Sequence, residues 1–231
     1  MIILGIDTSS ADLGVSVIKD GSPMSSICRY VRNSHAEHIT QAVKTALSMA
    51  GIDITEVKHI AVSIGPGSFT GLRIGLSFVK GLSLDNAVKV IPLSSLMILA
   101  HAASNNHYSG RIFTALDARQ GRIHWSLFHC DYGDINRLGD DILSSPEKLL
   151  EQLKPDDLLV TDTMGYSRSI VFHQFNNKSR IIDVQKTALQ RGLSCAMLGF
   201  HNINNEPLWL CGSEIIPNYL QMSAAQEKLC R

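Results

Sequence analysis

The stretch Gly65-Pro66-Gly67-Ser68-Phe69-Thr70-Gly71-Leu72-Arg73-Ile74-Gly75 constrains the fold more than any other part of the chain. Gly71 and Gly75 fall inside a segment of helical periodicity, where each glycine costs about 1 kcal/mol against alanine. With Val79 they recur at i, i+4 and i+8 and so share one face. Such a cost is tolerated where another backbone approaches that face closely, and packing of this kind is favoured here over phosphate binding. The stretch lacks the Gly-Lys-Ser/Thr ending of a P-loop, and its glycines do not follow G-x-G-x-x-G, although a helix N-terminus after a glycine loop can hold an anion. Ser68 is placed to cap that helix, and the G-x-S-x-G elbow of a serine nucleophile is absent.

Around this stretch the pattern alternates between strands and helices. Strands are expected at 2–7, 13–18 and 24–30, with Asp20-Gly21 turning the last two. Ser34-His35-Ala36-Glu37 has capping-box form, and Ile39, Ala42, Val43, Ala46, Leu47 and Ala50 follow at helical spacing until Gly51 stops the helix. A strand at 59–64, the glycine loop and helix at 65–82, a strand at 88–93 and a helix at 95–104 complete a βββαβαβα order. The second half is expected to repeat it. Strands fall at 111–117 and 122–129, with a weak one at 135–138. A helix opened by Ser145-Pro146-Glu147 runs through Leu153. A strand at 158–162, a helix at 166–175, a strand at 180–184 and a helix at 188–201 follow, the last carrying Leu189, Leu193, Ala196, Met197 and Phe200 on one face. The polar, turn-rich run 104–110 divides the halves.

The halves also match locally without gaps at an offset of 110: Ile2-Ile3-Leu4-Gly5-Ile6-Asp7 lies over Ile112-Phe113-Thr114-Ala115-Leu116-Asp117, and Val15 and Val17 lie over Trp125 and Leu127. A duplicated strand-Asp-turn-strand predicts paired lobes facing a cleft. It resembles the superfamily of actin, chaperone ATPases and sugar kinases, whose matching turns hold nucleotide phosphates while the Asp organises magnesium. Asp7, Thr8, Ser9, Asp117 and Arg119 are therefore candidates for nucleotide contact or, alternatively, for capping their own turns.

Lys+Arg and Asp+Glu both number 21, a net charge of 0, which argues against a chain that wraps a polyanion unaided. Five scattered cysteines without a C-x-x-C pair read as reduced thiols. The N-terminus lacks a basic n-region and no apolar run approaches the ~20 residues of a membrane span, so a cytoplasmic protein is expected. His35 and His38 beside Glu37 have a spacing that could hold a metal, but a solvated or interface role is favoured. No histidine pattern is that of a zinc protease.

The glycine stretch with Lys80-Gly81-Leu82, the opening Ile3-Leu4-Gly5-Ile6-Asp7-Thr8-Ser9, the turn Asp117-Ala118-Arg119-x-Gly121 and the later Pro217-x-Tyr219-Leu220 closely resemble the TsaB (YeaZ) family. The resemblance implies an α/β protein of two tandem RNase H-like lobes, of the actin-like ATPase and sugar-kinase superfamily. The lobes would span 1–106 and 107–231, the second degenerate and its C-terminal segment able to pack back on the first. It further implies a non-catalytic subunit of the machinery that places threonylcarbamoyl on adenosine 37 of tRNAs reading codons that begin with A. The implied partner is a TsaD-like catalytic subunit, with a TsaE-like ATPase joining through the complex and a precursor made by TsaC. Contact with tRNA would come only through the complex, and a homodimer is expected when the chain is alone. TsaD-like relatives carry a His-x-x-x-His metal pair where this chain has Ser95 and Leu99, and neither replaces imidazole. No metal or cofactor is expected. Arg122-Ile123-His124 replaces the family's Glu-Val-Tyr, and Thr161-Asp162-Thr163-Met164 its G-D-G-A, which weakens any nucleotide site in the second lobe. The expected partner interface is the small-residue face of two helices: Ile39, Ala42, Val43, Ala46, Gly71, Leu72, Gly75, Phe78 and Val79. The alternative is an ATP-dependent small-substrate kinase using Asp7, Asp117 and the Gly65 loop.

Overall fold

The opening strand β1 (Ile2–Asp7) is apolar from Ile2 to Ile6 because both its faces are covered. A computed structural model describes residues 1–31, 34–84, 88–104, 108–131, 133–161, 180–183, 191–203 and 214–218. β1 lies at the centre of a five-stranded sheet with β2 (Asp12–Lys19), β3 (Ser22–Tyr30), β4 (His59–Gly65) and β5 (Lys89–Ser94), in the order β3-β2-β1-β4-β5. β1, β2 and β3 pair antiparallel, while β4 runs parallel to β1 and to β5.

Leu4 and Ile6 of β1 point to one face, into a core shared with helices α1 (His35–Ala50) and α2 (Phe69–Leu82). Ile3 points to the other face, into a core shared with α5 (Arg191–His201), the helix that follows α3 (Ser95–Ala103) and α4 (Pro146–Gln152) in the chain. The period-2 alternation of a strand thus assigns each helix its side.

The second sheet repeats this plan. β6 (Ser109–Asp117), β7 (Ile123–Asp131), β8 (Asp134–Arg137), β10 (Leu158–Thr161) and β11 (Arg180–Asp183) follow the order β11-β10-β6-β7-β8, with β9 (Ile142–Ser144) paired to β7. The duplication read from sequence is therefore structural, and Asp7 and Asp117 end equivalent strands.

The gapless alignment fails after the turn. Asp7 pairs with Gly14 but Asp117 pairs with Ile123, so the second turn is one residue shorter. Ile6 faces Val15 while Leu116 faces His124, which makes His124 and Ser126, not Trp125 and Leu127, the counterparts of Val15 and Val17. A one-residue slip moves every side chain to the other face of a strand.

Several local expectations change. Ser34 makes no side-chain cap to α1; its hydroxyl donates to the Val31 carbonyl, and a capping box forms instead at Asp53 and Glu56 around a short 3-10 turn. Ser145 makes no side-chain cap either, leaving Pro146 at the first position to start α4. β9, at three residues, is too short to show in the sequence pattern, and the helix expected at 166–175 lies outside the described residues.

The expected face of α5 is met in part: Ala196 is buried, Leu193, Met197 and Phe200 pack against the same core, and Leu189 lies outside the described residues. Its buried positions are Arg191, Gly192, Ser194, Cys195, Ala196, Leu198 and Gly199, whereas Leu193, Met197 and Phe200 are half-buried. The small residues let the helix press onto the first sheet. A Cβ on Gly5 would lie 2.5 Å from the Ala196 nitrogen, and one on Gly14 2.7 Å from the Gly192 nitrogen.

Two outcomes are expected. Gly192→Ala places a Cβ 2.6 Å from the Val15 nitrogen, where both groups are backbone and neither can yield cheaply. It should cost roughly 2–3 kcal/mol in urea unfolding, and a loss below about 0.5 kcal/mol would show that the helix does not press on β2.

His124 is only 6% exposed, and its Nδ1 has no partner among the described residues. Burial, reinforced by Arg122 against the pull of Asp141 and Asp117, lowers its pKa to about 4. The unfolded chain takes up that proton near pH 6.5 and the folded chain near 4, so stability is full above the first value and falls as the pH drops toward the second. His124→Leu should flatten the stability profile in that window by about 1 kcal/mol per pH unit. Parallel profiles for the two proteins would refute a buried neutral imidazole.

Candidate functional site

Between β1 and β2 the chain buries an unusual run of polar residues: Asp7 is 1% exposed, Thr8 0%, Ser9 2%, Ser10 8% and Asp12 8%. Groups of this kind are stable away from water only when hydrogen-bonded. Asp7 Oδ1 accepts the Ser9 N–H at 2.9 Å and the Ser9 hydroxyl at 2.7 Å. Asp7 Oδ2 accepts Arg191 Nε at 2.6 Å, and Arg191 Nη2 donates to Ser9 Oγ at 2.6 Å. Burial alone raises the Asp7 carboxyl; the Arg191 guanidinium and the Ser9 donors more than reverse this and hold it below the usual carboxylate range. Arg191 is itself 3% exposed. The ion pair joins the end of the first strand to the start of α5.

α2 closes the turn from the other side. The Ser68 N–H donates to the Ser9 carbonyl at 2.7 Å, and the Thr8 N–H donates to Ser63 Oγ at 3.3 Å. A Cβ on Gly67 would collide with the Ser9 carbonyl, one on Gly71 with the Thr8 carbonyl and one on Gly75 with the Thr8 hydroxyl. The backbone that the glycine face admits is thus the chain's own turn. Ser68 caps α2 by accepting the Gly71 N–H at 3.2 Å. The donors a phosphate would need, the N–H groups of Thr8 and Ser9, are already engaged within the chain. A nucleotide does not fit this turn as it is built.

The residues expected to meet a partner need correction for the same reason. Ile39, Ala42, Val43, Ala46, Leu72 and Val79 are each 7% exposed or less, and Gly71 and Gly75 are buried under Thr8. They form the inner faces of α1 and α2, against the first sheet, and cannot themselves touch another molecule. Of that set Phe78 alone is partly exposed, and with Ile74 on the same helix it also packs against that core. The outward surface of α2 also carries Arg73, whose guanidinium stacks 3.9 Å over the Phe69 ring.

The second turn keeps the first one's local geometry but not its enclosure. Asp117 Oδ1 accepts the Arg119 N–H at 3.0 Å, the same contact two residues on that Asp7 makes with Ser9. Arg119, Gln120 and Gly121 all have positive φ, at 63°, 52° and 72°. Arg119 and Gln120 are exposed and Asp117 is half-buried. The residues after β10 that would match the Gly65 loop lie outside the described ones.

Elsewhere, Ser95 and Leu99 are fully buried within α3. His35 is 3% exposed and burial lowers its pKa, while His38 is half-exposed. Among the described residues no three His, Cys, Asp or Glu side chains gather closely enough to hold a metal ion. Cys28, Cys130 and Cys195 are free thiols.

Arg191 escaped the sequence reading because its partner is 184 positions away and no motif surrounds it. A signal did exist: Gly192, Cys195, Ala196 and Gly199 recur at i, i+3, i+4 and i+7, a small-residue stripe that marks close packing.

Residues 28–194 match the family model described as TsaD, tRNA N6-adenosine threonylcarbamoyltransferase. Across 236 aligned residues, 99% of this chain and 97% of the relative, it is 28% identical to the tRNA threonylcarbamoyladenosine biosynthesis protein TsaB of Bacillus subtilis. Among solved structures it is similar to YeaZ from Pseudomonas aeruginosa, with a TM-score of 0.79 and 26% identity over 95% of this chain and 99% of that one. A likeness in fold alone links it to the activator of 2-hydroxyisocaproyl-CoA dehydratase from Clostridium difficile, at a TM-score of 0.52 and 12% identity over 97% of this chain and 100% of that one. The paired mixed sheets are those of the actin-like ATPase and sugar-kinase superfamily. No helix among the described residues is long and apolar enough to cross a membrane. With the duplicated sheets, the glycine-lined turn and this full-length likeness together, the chain belongs to the TsaB (YeaZ) family of tRNA threonylcarbamoyladenosine biosynthesis proteins.

Proposed function

We propose that the chain is a non-catalytic scaffold that docks a TsaD-like enzyme and supports threonylcarbamoyl transfer to adenosine 37 of tRNAs reading codons that begin with A. The observation that carries this reading is the closed turn. Asp7, a carboxylate the kinase alternative requires, is spent on Arg191 and Ser9 with 1% of its surface exposed. A catalytic group must touch its substrate, and this one faces only its own chain. The net charge of 0 supports entry of tRNA through the complex and not through this chain alone.

The docking surface in this reading is the outer flank of α1 and α2, not their small-residue faces. Ile74 and Phe78 give it apolar area beside the stacked Arg73 and Phe69, and aromatic and arginine anchors are the usual energetic centres of interfaces. Residues 28–194 match the transferase's own family model, so the partner carries the same kind of helix pair and two such pairs can meet face to face. A second copy of the chain takes the partner's place when it is absent. A TsaE-like ATPase joins through the assembled complex. The lobes of this reading are 1–106 and 107–231.

The test uses Arg73→Glu and Ser77→Glu, which put charge at exposed positions of α2 without entering the core. Capture of a TsaD-like partner should fall at least about tenfold, equivalent to about 1.4 kcal/mol, with the melting temperature unchanged. Capture equal to that of the parent protein by both folded variants would overturn the docking surface. Gly75→Arg is unsuited to this purpose because Thr8 fills the space in front of Gly75. Micromolar binding of Mg-ATP to the isolated chain by calorimetry would overturn the scaffold reading in favour of the kinase.

A further inference from the structure

The elements at the first turn form a chain of contacts that runs from the last described helix to the proposed docking helix. Arg191, the first described residue of α5, bonds Asp7 and Ser9 at 2.6 Å each. Ser9 in turn receives the Ser68 N–H that opens α2, and its neighbour Thr8 lies against Gly71 and Gly75. Those two glycines have no side chain with which to shift, and the first of their contacts is to a backbone carbonyl, so the position of residues 7–9 dictates where α2 rests. The glycine face makes α2 follow the turn, and the guanidinium makes the turn follow α5.

We propose that Arg191 is a positioning residue for partner docking: a resident cation that fixes the Asp7–Ser9 turn and, through Thr8, seats α2 so that its outer flank is presented in one orientation. This rests on the reading of that flank as the docking surface. The reasoning is electrostatic and steric. A carboxylate that is 1% exposed holds its charge only while compensated, and two of its compensating contacts are with Arg191 and with the Ser9 hydroxyl that Arg191 also holds. Without the guanidinium, Asp7 must draw in water or take up a proton, and either response moves the turn against Gly71. No part of Arg191 is available at the surface to touch a partner, since it is 3% exposed. Its influence on docking is therefore indirect.

The test compares Arg191→Met, Arg191→Lys, Arg191→Ala and the double variant Asp7→Asn with Arg191→Met. In the isolated chain Arg191→Met should lower the melting temperature by about 10 °C. It should also speed amide exchange at residues 7–12 and 69–76 by at least about tenfold, leaving β6 and β7 of the second sheet unchanged. Arg191→Lys should restore part of that protection, and millimolar guanidinium ion should restore it in Arg191→Ala by refilling the vacated space. A general loss of packing would show no such rescue. If Arg191→Met does not fold, the double variant, which leaves no buried charge unpaired, supplies the same comparison. Unchanged exchange in 69–76 for any folded variant that lacks the guanidinium overturns the proposal. Capture of a TsaD-like partner should weaken in parallel with the lost protection and recover with guanidinium. Should α2 loosen while capture holds, the docking reading fails and the seating of α2 by Arg191 stands; should capture recover without α2, the positioning role fails and the docking reading stands.

Discussion

One buried ion pair organises the first lobe. Arg191 and Asp7 are 3% and 1% exposed, and taking two such charges out of water costs several kcal/mol per ion before any attraction is counted. The pair survives because its hydrogen-bonding capacity is filled locally: one carboxylate oxygen takes Nε of the arginine, the other takes two donors of Ser9, and Ser9 receives Nη2. Pairs of this kind add little net stability over an apolar filling, but breaking one leaves an uncompensated buried charge. That matters here because the partners are 184 positions apart and nothing local brings them together. The charge therefore selects which of the many ways of laying an apolar helix on an apolar sheet is adopted.

The same turn explains why small residues recur on opposite sides of β1. Above it, Gly67, Gly71 and Gly75 give way to the Ser9 and Thr8 atoms; below it, Gly5 and Gly14 give way to the backbone of α5 at Ala196 and Gly192. A strand gripped so closely on both faces leaves no room between its turn and the helices for a ligand. Buried hydroxyls such as Thr8 Oγ1, without a partner in the described structure, are the residual cost of that closeness. An arrangement suited to holding phosphates becomes a structural joint once its donors face inward.

How much of this the sequence revealed depends on whether the cause was local. The strands and helices were legible because their causes are: α1 ends at Gly51, which takes the left-handed conformation at φ 66°, and α2 starts at a capping Ser68. The glycine face of α2 was legible as a close-approach surface, but not what approached it, since Thr8 is 63 residues earlier than Gly71 by number alone and no pattern connects them. Small residues report that something comes near, not whether it is one's own chain. The capping pattern at Ser34 misled because the hydroxyl found the Val31 carbonyl first, and the internal repeat misaligned its returning strand because a turn shortened by one residue leaves no trace in composition.

α3 is apolar on the sides it turns to both sheets, and Leu96, Ile98, Leu99 and Ala100 are each fully buried. Leu96, Leu99 and Ala100 pack with the second sheet through Ile112, Leu116, Phe128 and Val160, while Ile98 packs with the first sheet and α5 through Ile91 and Leu198. A helix with two apolar sides is stable only when both are covered, and here it is the two sheets that cover them. Opening the halves about a hinge would expose one face or the other at roughly 25 cal/mol per Å² of apolar surface. Enzymes that close a cleft over their substrate need an interface that slides or parts cheaply. This chain has a shared core there instead, and at its first turn a salt bridge where a ligand would have to enter. Both features favour a rigid body, as the proposed scaffold requires.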